Sequence, residues 1–151
     1  MEVKVVAFHP RHLEVMEMRS FELMGSMQLE DAYARIEKVA KASVQAATFL
    51  YDGRVLFCAG FHQLWPGVLE VWMIPSVYIR KVPISFGRTI KRYIDRLAED
   101  FKAHRLQTTS YDDPFHAKWM AFLGFENETP NGMKKFTHDQ KTMCMYARVK
   151  E

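Results

Sequence analysis

The chain has 151 residues, 48% of them hydrophobic and 26% charged, with a formal net charge of +3. That length makes one ordinary domain, able to bury roughly two-thirds of its unfolded surface without disulfide or metal staples. The mild charge excludes any demand for nucleic acid as a partner, and no run approaches about 18 uninterrupted apolar residues, so no membrane span is expected.

Residues 2–8 read as a strand, and 10–24 as a helix with Pro10 near its first turn, stopped by Gly25-Ser26. A second helix is predicted over 29–42, with Tyr33, Ile36, Val39, Ala40 and Val44 on one stripe and Glu37, Lys38 and Lys41 opposite. Strands follow at 45–51 and 54–62 around Asp52-Gly53, a pair suited to a tight turn with positive φ. Trp65-Pro66-Gly67 turns the chain into the third strand of the meander, 68–74. From 85 to about 102, Phe86, Ile90, Tyr93, Ile94, Leu97 and Phe101 trace one face at spacings of three and four, the clearest helix in the chain. A strand is predicted over 105–111 and a short helix over 114–123, ended by Gly124. Two strands, 132–136 and 142–149, flank the turn Thr137-His138-Asp139-Gln140. The order implies a single mixed α/β domain spanning 1–151, with a largely antiparallel sheet and one parallel step around the long helix.

That parallel step carries the functional signal. Arg80, Lys81, Arg88, Lys91, Arg92 and Arg96 fall within seventeen residues, and three of them occupy the first two turns of the long helix. Cations there oppose the positive end of the helix dipole. A phosphate-bearing ligand would remove the conflict, because first-turn N–H groups and basic side chains would converge on it. The plainer alternative is a solvated basic helix face.

Other candidates are weaker. Cys58 and Cys144 lie in apolar runs without CxxC spacing and read as buried, reduced thiols. Met1-Glu2-Val3-Lys4-Val5 lacks the pattern of a secretory leader, so a cytoplasmic protein is expected. His9 and His12 are three apart, but Pro10 intervenes and no carboxylate-rich segment accompanies them, so no metal is expected. His104 and His138 read as surface residues. Trp119 reads as core, whereas Glu70 and Trp72 share one side of their strand, opposite Val71 and Met73, and would face a groove if the other side packs on the long helix. Ten dispersed methionines suit adaptable packing or a protein contact surface.

The strand, basic loop and helix over 69–102, together with Trp119-Met120-Ala121-Phe122-Leu123-Gly124-Phe125 before the final hairpin, resemble the GNAT superfamily of acetyl-CoA-dependent N-acetyltransferases over nearly the whole chain. Gly60-Phe61 and the segment Leu64-Trp65-Pro66-Gly67-Val68-Leu69-Glu70-Val71-Trp72 resemble small phage-carried members, including internal virion core proteins of podoviruses. The resemblance implies a mostly antiparallel central sheet with helices on both faces. It also implies a coenzyme A site at Met73, Ile74, Arg80, Lys81, Ser85, Phe86, Gly87 and Arg88. The family's loop pattern keeps its arginine at Arg80 and its small last residue at Ser85, but both glycines are replaced, and Pro83 has no N–H to offer a phosphate. Lys81 and Arg88 would supply charge in place of the lost amides.

Acetyl transfer needs a base for the ammonium and an acid for the leaving thiolate. The resemblance places the base at Glu70, while the family's last-helix tyrosine falls on Met120, which cannot donate a proton. The nearest substitutes are Tyr111, Ser110 and His116, and Glu70, Tyr111 and His116 are the catalytic candidates. Each also has a bland reading: an outward strand position, a strand end and an exposed first-turn residue. The expected partners are acetyl-CoA and an amine acceptor or protein partner, with a homodimer as one arrangement. The opposing reading is a GNAT-like phage protein without catalysis, serving as a binding or virion component.

Overall fold

The structure is a computed structural model that describes residues 3–12, 29–76 and 84–151, the side chains of 29–33, 35 and 85 excepted. The helix predicted over 10–24 therefore lies, beyond its first helical residues at 11 and 12, outside the described residues.

Asp52 and Gly53 adopt φ of 51° and 74°, the left-handed pair that a tight two-residue hairpin needs. Around this turn β2 (Gln45–Tyr51) and β3 (Arg54–Trp65) pair antiparallel, and β1 (Val3–Ala7) pairs on the outer side of β2. Gly67, at φ 89°, turns β3 into β4 (Val68–Pro75). The second half of the sheet is β5 (Arg105–Tyr111), the short β6 (Glu126–Asn127) and β7 (Met143–Val149). Strand order is β1-β2-β3-β4-β5-β7-β6, and among the described residues the β4–β5 pair alone is parallel.

Helices cover both faces. α2 (Ile84–Asp100), which makes the parallel crossover, buries Phe86, Ile90, Ile94 and Leu97 against Phe49, Phe57, Phe61, Leu69 and Val71. Phe49 meets Phe57, Phe86 and Tyr93 edge-on, with ring centroids 5.7, 6.4 and 5.3 Å apart. α3 (Pro114–Phe122) adds Met120, followed by Leu123, to the same cluster. Residues one step along the strands serve the other face, where Ile36 of α1 (Leu29–Ala42) packs with Val55 and Cys58, and with Phe8, Leu50, Trp72 and Ile74. No helix among the described residues is long and apolar enough to cross a membrane.

Three expectations change. Residues 132–136 form no strand: Gly132 and Lys135 take φ of 77° and 56°, which breaks an extended run, and Met133 alone bridges Met143. The outer partner of β7 is instead β6, immediately after Phe125 enters the core. Val44 lies past the end of α1 and is exposed. The Trp72 side of β4 is not an open groove: its indole N–H donates to Ser43 Oγ at 2.8 Å, and its ring meets Phe8 edge-on at 5.9 Å.

Trp72 also explains Gly60. A Cβ at that position would stand 2.6 Å from the indole ring and 2.7 Å from the Gln45 carbonyl oxygen, and the latter is backbone held in the β2–β3 ladder. Gly60→Ala should therefore destabilise the fold by about 1–3 kcal/mol through overpacking. Urea denaturation measures the loss, and altered tryptophan fluorescence locates it at Trp72.

Candidate functional site

The β4–β5 ladder contains three pairs, Val68↔Arg105, Leu69↔Leu106 and Glu70↔Gln107, and stops there. Both strands continue. β4 stays paired with β3 as far as Phe57↔Pro75, and β5 with β7 as far as Tyr111↔Met143. Beyond Glu70 and Gln107 the two strands therefore part, and Val71–Pro75 and Thr108–Tyr111 turn backbone edges toward a gap with no strand partner across it among the described residues. α2 begins at Ile84, and Phe86 in its first turn packs on Phe57, the register partner of Pro75, so its N-terminus stands near the open end of the gap.

A side-chain relay marks the point of divergence. Gln107 Nε2 donates to Glu70 Oε2 at 3.1 Å, Arg105 Nε donates to Gln107 Oε1 at 2.9 Å, and Arg105 meets both oxygens of Glu128 at 3.0 and 2.5 Å. The paired guanidinium holds the Glu128 carboxyl below its usual range, and Glu128 in turn raises Arg105. The amide of Gln107 is thereby oriented, its oxygen toward Arg105 and its N–H toward Glu70.

The implied coenzyme residues divide. Met73 and Ile74 lie on the diverging part of β4, Met73 packed toward α2 and Ile74 toward α1. Arg80 and Lys81 lie outside the described residues, as does the side chain of Ser85. Phe86 is a core residue wedged against Phe57 with centroids 5.9 Å apart, so its contribution to a ligand is limited to backbone. A Cβ on Gly87 would stand 3.0 Å from the Phe122 ring, so this glycine allows α2 and α3 to approach closely. Arg88 is exposed in the first turns of α2.

Tyr111 and His116 come together at the end of β5, and Glu70 does not join them. Their ring centroids are 5.7 Å apart at 64°, and both line an open cleft of about 520 Å³ with Asp112, Asp113, Gln140, Lys141 and Thr142. Gln107, the partner of Glu70, is four residues earlier on β5, about 13 Å along the strand. Ser110 is buried. Sequence reasoning missed Asp113, which is the N-cap of α3, and Lys141, whose ammonium lies 5.7 Å from the Tyr111 ring centroid. The signal for Asp113 was Asp-Pro at a helix start, which places a capping carboxylate beside the residue three positions on.

No protein-family model and no curated protein matches the sequence. Solved structures do match across its length. A GNAT-family acetyltransferase from Bacillus anthracis superposes with a TM-score of 0.70 at 15% identity, covering 99% of this chain and 95% of that one. Ard1 from Thermoplasma volcanium gives 0.79 at 10% identity, with 99% and 98% covered. An acetyltransferase from Streptococcus agalactiae gives 0.73 at 11%, with 98% of each chain covered. The fold is that of the GNAT acetyltransferases. In this fold the start of the crossover helix packs beside the end of β4, with Phe86 on Phe57, the register partner of Pro75.

The histidines near the N-terminus serve packing. His12 Nδ1 lies 2.8 Å from the buried Thr48 hydroxyl and accepts the His9 backbone N–H at 3.1 Å, and Thr48 Oγ1 is 3.6 Å from Cys58 Sγ. Burial pushes the Cys58 thiol up to about 11, which removes it as a nucleophile. Burial, and secondarily the neighbouring His9, lowers His12 below the ordinary histidine value of 6.5. The unfolded chain then binds the proton more readily than the folded one, so stability is present above that ordinary value and declines as pH falls through it toward the lowered one. Urea midpoints should drop between about pH 7.5 and about pH 5.5, and His12→Gln should remove part of that slope.

Proposed function

We propose that this chain is an acetyl-CoA-dependent N-acetyltransferase that moves an acetyl group to an amine of a small molecule or protein. The observation that carries the reading is the gap between β4 and β5. Two strand edges with outward N–H and C=O groups can receive an extended, amide-bearing arm much as a sheet edge receives an added strand. The N-terminus of α2 at the gap's open end suits the diphosphate, with Arg88, and with Arg80, Lys81 and Ser85 as the sequence implies. The acetyltransferase neighbours support the same chemistry.

In the transfer, the amine nitrogen attacks the thioester carbonyl, the carbon–sulfur bond breaks, and the thiolate acquires a proton. Glu70, Tyr111 and His116 are the ionisable side chains proposed to supply the proton transfers. One observation favours a second reading, a GNAT-like binding or virion component without catalysis: Met120, where the resemblance implies a tyrosine, is 2% exposed within the apolar core.

Acetyl-CoA at a hundred times its dissociation constant should stabilise the fold by about 2.7 kcal/mol in a thermal-shift titration. Arg88→Ala should weaken binding about tenfold or more, the worth of a charge-assisted hydrogen bond. Stabilisation accompanied by thiol release supports the enzyme. Stabilisation without thiol release supports the binding protein, and no stabilisation at millimolar acetyl-CoA removes the coenzyme from both.

A further inference from the structure

The gap between β4 and β5 closes at its inner end, and four linked side chains stand there. Val71–Pro75, the run of β4 that faces the gap, is five residues or about 17 Å long. An arm with two amides in line, entering from the diphosphate end and fully extended, spans about that length, so its thioester reaches the last register pair, Glu70↔Gln107. Glu70 is half-buried there. Among the described residues its Oε2 has one partner, Gln107 Nε2 at 3.1 Å, and its Oε1 has none.

Donors and acceptors along the relay admit one arrangement. Arg105 only donates, so its Nε faces the oxygen of the Gln107 amide, at 2.9 Å. A carboxylate only accepts, so the amide N–H₂ faces Glu70. Arg105 is held in turn, because both its terminal nitrogens donate to Glu128, at 3.0 and 2.5 Å. The Glu128 backbone N–H donates to the Met145 carbonyl of β7 at 2.8 Å. Each link thus fixes the next, from β7 to the carboxylate at the inner end of the gap. Holding Oε2 fixes the plane of that carboxylate, and with it the direction in which the lone pairs of Oε1 point.

We propose that Gln107, held by Arg105 and Glu128, positions the Glu70 carboxylate to take a proton from the acceptor ammonium, an inference that rests on the acetyl-CoA reading. Glu70 is the catalytic residue, because Oε1 meets the amine. Gln107 is a positioning residue, because it acts through Glu70. The step balances. One N–H bond of the ammonium breaks, and its proton goes to Oε1. The freed lone pair bonds to the thioester carbon, and the carbon–sulfur bond breaks with its electron pair on sulfur. A second proton leaves the nitrogen through water for the thiolate, and Glu70 returns its proton to solvent. The products are an acetamide and a free thiol.

A double-mutant cycle separates positioning from bracing of the sheet. For thiol release from acetyl-CoA with ethylenediamine, Glu70→Gln should lower kcat about a hundredfold. Gln107→Met keeps the side-chain volume and removes both hydrogen bonds. It should lower kcat about tenfold, with KM for acetyl-CoA and the thermal stabilisation that acetyl-CoA gives both at the wild-type level. Added to Glu70→Gln, it should cost nothing further, since the group it positions is gone. Glu128→Gln changes the exposed end of the relay and serves where Gln107→Met does not fold. It should lower kcat about threefold, again only when Glu70 is present. Equal losses in the two backgrounds would make the relay a brace alone and overturn the inference. So would wild-type kcat in Glu70→Gln, wild-type kcat in both relay variants, or an acetyl-CoA-stabilised wild type that releases no thiol. Failure of acetyl-CoA to stabilise the protein would instead remove the coenzyme reading beneath it, and the inference with it.

Discussion

Everything in this architecture depends on a ladder that is allowed to stop. β4 is held by eight register pairs with β3, and β5 by seven with β7, whereas β4 and β5 share three. Each strand satisfies its backbone on one side through a strong antiparallel partner, so parting on the other side leaves neither strand unsupported. The sheet behaves as two antiparallel halves, β1–β4 and β5–β7–β6, joined at three residue pairs.

α2 is what holds the halves at their divergence. Its buried face packs on Leu69 and Val71 from one half and on Leu106, Cys144 and Tyr146 from the other. Asp95 of α2 receives Arg148 of β7 at 2.8 Å, and Lys91 of α2 reaches the same carboxylate at 3.1 Å. On the opposite face, Glu70, Gln107, Arg105 and Glu128 link β4 to β5 and to the end of β6 where the ladder ends. Gly87 lets α3 approach α2, which brings α3 and its first-turn histidine onto the same half as the end of β5. Apolar burial thus sets the spacing, and a polar relay sets the register at the joint.

The local rules of the chain were legible. Helix 29–42 and strands 45–51 and 105–111 have the predicted bounds, because period, cap and turn chemistry all act within a few residues. The 132–136 strand was placed as a flank of the turn at 137–140, but Met133-Lys134-Lys135-Phe136 does not alternate, Gly132 and Lys135 adopt left-handed φ, and Phe136 is 54% exposed. The parting of β4 from β5 left no mark in either strand's sequence, since Val71-Trp72-Met73-Ile74 would read the same with or without a neighbour. Pairing across thirty-odd residues is decided by tertiary packing. For the same reason Glu70 and Tyr111 read as one site in the sequence, and the sheet keeps them about four strand residues apart.

Position 120 shows how the core and the cleft divide α3 between them. A proton donor at 120 would face Leu123, Ile90 and the rest of the cluster that Met120 now fills, in surroundings that penalise any charge it acquired. His116 precedes Met120 by four residues, so it lies on the same helical face one turn nearer the N-terminus. There the capping carboxylate of Asp113 lies 2.6 Å from the imidazole, and the ring lines the open cleft. Position 120 thus closes the core, and position 116 meets the cleft.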